Sequence, residues 1–238
     1  QDIFDGEGIE MSKKILASLI DACFKGRFLF LLVSLLGYLI LTPLFEGFIG
    51  IRLLLGIFTT AVFITAIYAA SQKKLFSVIG LLLALPMIAC TWSTYFVEIS
   101  SLLLVGNCFG ILFFAFAVVN ILSFVFKQHE VTLDVIYGAI VVYLLIAMMW
   151  ALIFSLVESL QPGSFTLAQS QIQDSNFPFY YYSFVTITTL GYGEITPVTD
   201  IARSFAFLEA VVGQIYLVVL VARLVGINIA QSIERRSR

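Results

Sequence analysis

The stretch "FVTITTLGYGEITPVTD" (Phe184–Asp200) lies between two long hydrophobic runs, and the glycines flanking its tyrosine decide how the chain reads. A connection between two helices needs no such pattern. An ordinary strand points successive carbonyls to opposite sides, whereas glycine visits left-handed φ/ψ without steric cost. Gly191 and Gly193, two residues apart, supply the conformations that turn consecutive carbonyls the same way. Stripping a cation of water costs tens of kcal/mol on a Born estimate. A row of backbone oxygens can repay it, with the Thr189 hydroxyl as the innermost ligand.

The surrounding chain says where this happens. Its 238 residues are 61% hydrophobic and 12% charged, with a mean hydropathy of +1.04, well away from soluble domains. Six apolar runs stand out: Phe28–Phe45, Ile51–Ala70, Leu75–Trp92, Ile99–Phe126, Val131–Val157 and Ile201–Ile229. A helix needs roughly 20 apolar residues to cross a bilayer, so six spans are expected. Pro43 and Pro86 are read as lying near run ends, where a missing N–H is tolerated. Between runs five and six the chain is polar from Gln161 to Asn176, aromatic from Phe177 to Tyr182, then enters the opening stretch. Asn176 as cap and Pro178 in the first turn predict a short re-entrant helix. Non-helical backbone at membrane depth survives only when buried in protein or lining water.

Eleven of the thirteen basic residues fall on one side of this layout, leaving Arg52 and Arg203 on the other. The positive-inside rule then places both termini in the cytoplasm of a multi-pass protein, expected in the plasma membrane. A net charge of −2 gives no nucleic-acid footprint. Cys23, Cys90 and Cys108 are scattered in apolar sequence and read as membrane hydrophobes. His129 is the single histidine, so no metal or acid–base set emerges, and neither an enzyme nor a cofactor is expected. Residues 1–10, acidic and ahead of Met11, are set aside as a tag or leader.

Thr186-Ile187-Thr188-Thr189-Leu190-Gly191-Tyr192-Gly193-Glu194 resembles the selectivity-filter signature of tetrameric potassium channels. Leucine replaces the family's usual valine at 190, and glutamate its aspartate at 194. The resemblance runs from about Val131 to Ile229. It implies an all-α membrane protein with six transmembrane helices, plus a re-entrant pore helix and extended selectivity filter between spans five and six. The domains expected are a cytoplasmic segment (1–26), a four-helix membrane domain (27–127), a pore domain (128–230) and a short cytoplasmic tail (231–238). Within the pore domain it implies an outer helix (131–157), pore helix (177–188), filter (189–193) and inner helix (201–229). Potassium would bind the backbone of Thr189, Leu190, Gly191, Tyr192 and Gly193. The Leu190 and Tyr192 side chains would face away from the ion and brace the strand against the pore helix. Thr186, Thr188, Tyr181, Tyr182, Glu194 and Glu209 would support the filter, with Tyr181 bonded to Glu194. Val185 departs from members that carry a pore-helix glutamate.

In the inner helix, Gly213 is a hinge or a close-packing point. Gln214, Leu217, Val221 and Val225 share one face and either line a cavity and gate or pack on the outer helix. Glu209, mid-span, is expected to bond Ser183, Thr186 or a tyrosine hydroxyl, with a proton-sensitive gate as alternative. The front half has the layout of a voltage sensor but not its charges, since the fourth run is neutral. The expected function is a potassium-selective, homotetrameric channel that is not strongly voltage-gated. A weakly selective cation channel and a non-conducting membrane scaffold are the alternatives. The regulatory partner and stimulus are left open.

Overall fold

The computed structural model describes residues 26–45, 60, 64, 66–67, 74–93, 100–128, 130–166 and 177–236. Most of run 51–70, the cap Asn176, His129 and Cys23 lie outside the described residues. Among the described residues six helices follow in order: α1 (Arg27–Phe45), α2 (Lys74–Ser93), α3 (Ser100–Lys127), α4 (Leu133–Leu160), α5 (Phe177–Ile187) and α6 (Asp200–Arg236). Stretches of α3, α4 and α6 are long and apolar enough to cross a membrane, and α1 and α2 contribute shorter apolar stretches, Arg27–Thr42 and Leu75–Cys90.

The hub is α4. The Thr132 hydroxyl caps its N-terminus by accepting from the Val135 N–H at 3.4 Å, and Asp134 in the first turn suits the positive helix end. α1, α3, α5 and α6 all pack against it. Hydrophobic force between helices is weak in lipid, so close backbone approach does the holding. Gly110 of α3 shows it: a β-carbon there would sit 2.6 Å from Leu152 Cδ1 of α4. Nearby, the buried Asn107 amide donates to Ser155 Oγ at 2.9 Å.

Several boundaries differ from expectation. α4 begins at its Thr132 cap and continues to Leu160, beyond 157. α5 ends at Ile187 rather than 188, and Thr188 and Thr189 form a turn. α6 extends to Arg236, so most of the expected tail 231–238 is helix. Hydropathy marks where the apolar stretch ends, but a helix satisfies its own backbone and can continue into water. Pro86 sits inside α2 rather than near its end; it leaves one helix carbonyl without its usual donor.

Among the described elements, α6 packs chiefly against α4 and α5. Its inward stripe is Ala202, Ala206, Glu209, Gly213, Tyr216 and Leu220, at alternating spacings of four and three. Of its apolar stretch 11% is buried, against 67% for α4. The remaining face is apolar and uncovered in the single chain.

Candidate functional site

α5 is too short to cross a bilayer and is held in place by rings. Phe165, from the segment after α4, stands 5.5 Å from Phe154, 5.5 Å from Phe179 and 5.3 Å from Tyr182, each edge to face. Pairs of this kind add about 0.5–1.5 kcal/mol each beyond their buried area. The same segment is tied to the chain beyond the glycines. The Thr166 N–H donates to the Thr196 carbonyl at 2.9 Å, and the Val198 N–H to the Ser164 carbonyl at 2.8 Å. The stretch 188–195 is therefore anchored at both ends.

Its inner end is stitched to the C-terminus of α5. The N–H groups of Thr189, Leu190 and Gly191 donate to the carbonyls of Thr186 and Val185 at 2.9, 3.0 and 3.3 Å. With these N–H groups turned back, none of the carbonyls of Thr189 to Gly193 accepts a hydrogen bond from a described residue. Every second residue is left-handed: Thr189 at φ 60°, Gly191 at 59° and Gly193 at 89°. A β-carbon at 191 or 193 would meet nothing within 4 Å in this chain, so backbone angle, not crowding, demands glycine. Thr189 is β-branched, and a positive φ there costs about 1–3 kcal/mol, held only because its surroundings over-determine it. Its hydroxyl donates to the Thr188 carbonyl at 2.6 Å, which leaves the oxygen lone pairs available.

Behind this stretch the Tyr181 hydroxyl donates to the Glu194 carboxylate. That bond pushes the phenol up to about 12, so it stays a donor through the physiological range. Leu190 and Tyr192 are 55% and 67% exposed, so they do not brace against the pore helix of their own chain. The packed faces of α5 are taken by α4 and α6. Thr188 Oγ1 donates to the Phe184 carbonyl at 2.6 Å, and Tyr182 hydrogen-bonds Thr186.

Glu209 is fully buried and meets Ser183 of α5. Gly213 packs on Ile187. Gln214, Leu217, Val221 and Val225 are all exposed in the single chain, so that face does not pack on α4. Sequence reasoning missed three residues. Tyr143 of α4 donates to the Ile187 carbonyl at 3.0 Å, closing the end of α5. Tyr216 donates to the Ala139 carbonyl at 2.6 Å. Arg223 donates to the carbonyls of Phe126 and Gln128, the latter at 3.1 Å. Mid-span tyrosines and a mid-helix arginine were the available signal, because polar tips in lipid require partners.

Among the described residues no cluster of histidine, cysteine, aspartate and glutamate could hold a metal ion. What the site offers is backbone oxygen. No curated protein and no solved structure matches the chain. Residues 131–229, from just before α4 through most of α6, match the family model described as "Ion channel". That stretch, 99 of the 238 residues, is thus similar to an ion-channel domain, which points to a channel and not to an enzyme.

Proposed function

We propose that the protein is a potassium-selective channel, assembled as a homotetramer and conducting passively through a filter formed by Thr189 to Gly193. The supporting observation is the alternation of left-handed residues at 189, 191 and 193, with hydrogen-bond-free carbonyls along the same stretch. Alternating handedness aims successive carbonyls to one side, and four such rows around an axis make the oxygen rings that replace a potassium ion's water. The re-entrant α5 would add the negative end of its dipole beneath them.

One chain supplies one quarter of each ring. The uncovered face of α6 supports assembly: Val211, Ile215 and Val218 are 48%, 58% and 67% exposed, and lipid or sister subunits have to cover them. Gln214, Leu217, Val221 and Val225 would then line the cavity and gate. Six spans, with both termini cytoplasmic, and a plasma-membrane location complete the reading, resting on charge placement and hydropathy.

The test is purified protein in liposomes with opposed potassium and sodium gradients. Potassium flux abolished by Gly191→Ala supports the reading. A reversal potential midway between the two ions favours a weakly selective channel. An absence of flux from intact tetramers would leave a non-conducting scaffold.

A further inference from the structure

Glu209 sits in the interior of α6 with no exposed surface. Its Oε1 meets Ser183 Oγ of α5, and its Oε2 is buried without a hydrogen-bond partner. Ser183 Oγ also lies 2.6 Å from the Ala147 carbonyl oxygen of α4. A serine hydroxyl holds one hydrogen. It cannot donate to a helix carbonyl and to an ionised carboxylate together. With Glu209 ionised, one of the two contacts becomes lone pair against lone pair, beside a buried charge with an orphan second oxygen.

One added proton removes the conflict. Carried on Oε1, it is donated to Ser183 Oγ, and the serine hydrogen goes to the Ala147 carbonyl. The remaining Oε2 is then a neutral carbonyl-type oxygen, far cheaper to leave unpaired than an anionic one. No cation is among the groups that act on the Glu209 carboxyl, which are its apolar surroundings and the Ser183 hydroxyl. The titratable groups within electrostatic reach of Glu209 are Tyr143 from α4 and Tyr182 from α5, both weak acids that would repel an anion if ionised.

We propose that Glu209 works as a neutral carboxylic acid. It is a positioning residue whose proton completes a hydrogen-bonded relay from α6 through Ser183 to α4, fixing the pore helix behind the filter. Raising the pH far enough to remove that proton breaks the relay and loosens the filter's support. The conduction consequence rests on the potassium-pore reading; the protonation state does not.

Infrared difference spectroscopy on the full-length protein, wild type against E209Q, reads the proton directly. A protonated-acid carbonyl band at neutral pH, absent from E209Q and shifted in S183A, is expected. A carboxylate signal in its place at neutral pH overturns the inference. S183A keeps the test open should E209Q fold poorly, because removing the hydroxyl alters the acid band without removing the acid. In liposomes, E209Q, whose amide donates as the acid does, should keep potassium flux and lose the alkaline decline seen in wild type. E209A should lose flux by about tenfold or more, the scale of a broken buried hydrogen bond. Equal flux and equal pH profiles in wild type, E209Q and E209A would also overturn it. An acid band in a protein without potassium selectivity upholds this inference while refuting the pore reading.

Discussion

Gly213 of α6 lies directly on Ile187, the last residue of α5: a β-carbon at 213 would stand 2.5 Å from Ile187 Cγ1 and 3.0 Å from the Ile187 carbonyl oxygen. The side-chain atom can move, but the carbonyl is fixed by the Tyr143 hydroxyl that donates to it at 3.0 Å. Gly213→Ala therefore pushes α6 off α5. Overpacking of this kind costs about 1–3 kcal/mol, more than alanine's better helix propensity returns. Thermal unfolding of the purified protein should show a lowered midpoint, and an unchanged one would remove the packing role.

Tyr181 and Glu194 join α5 to the far end of the 189–193 stretch. Tyr181→Phe keeps the ring and removes the donor. Under the pore reading, the expected outcome is a less persistent conducting state, read as faster current decay at constant potassium. The phenol's shift has a definite sign. Its folded value lies above the ordinary tyrosine value of 10.0, at about 12, so the bond contributes fully below about pH 10 and is lost as pH rises through 12. The wild-type channel should approach the phenylalanine variant only in strongly alkaline solution.

Arg223 clasps α6 to the end of α3. It donates to the Phe126 and Gln128 carbonyls, and its guanidinium lies 4.8 Å from the centre of the Phe126 ring. These carbonyls close a helix C-terminus, where cations and donors are favoured. Arg223→Ala should cost about 1.5–3 kcal/mol, the range for hydrogen bonds to charged groups. It should also alter open probability, since Val221 and Val225 flank the clasp. Lysine lacks the planar fork and should not restore wild-type behaviour. Single-channel recording of both variants checks this.

No residue of α3 carries charge before its terminal Lys127. Each gating charge contributes about 2.3 kcal/mol per 100 mV, so a neutral helix contributes none. Macroscopic conductance should change little across physiological voltages. Steep opening over a few millivolts would show that charge elsewhere moves through the field.

Asp200 and Arg203 form an exposed pair at 3.8 Å. Such pairs contribute about 0–1 kcal/mol. Asp200→Asn should leave the unfolding midpoint nearly unchanged, which a parallel melt with Gly213→Ala would show.

Properties that act locally were legible in the residues themselves. Left-handed backbone at 191 and 193 calls for glycine, apolar runs call for a bilayer, and an α3 without charge before its terminal Lys127 offers no gating charge within its apolar stretch. What depends on packing was not legible. The left-handed Thr189 is imposed by N–H groups drawn back onto the end of α5. The reach of α6 to Arg236 escaped a reading based on hydropathy, because a helix satisfies its own backbone beyond the apolar stretch. Nor did the residues show that Leu190 and Tyr192 would stay exposed in the single chain. Glu209 needed a partner, as any carboxyl buried in apolar surroundings does. That Ser183, 26 residues away, provides it was decided only when α4, α5 and α6 closed around one another. Hydrogen bonds between distant segments depend on where packing sets each atom, and no local pattern in the chain encodes that.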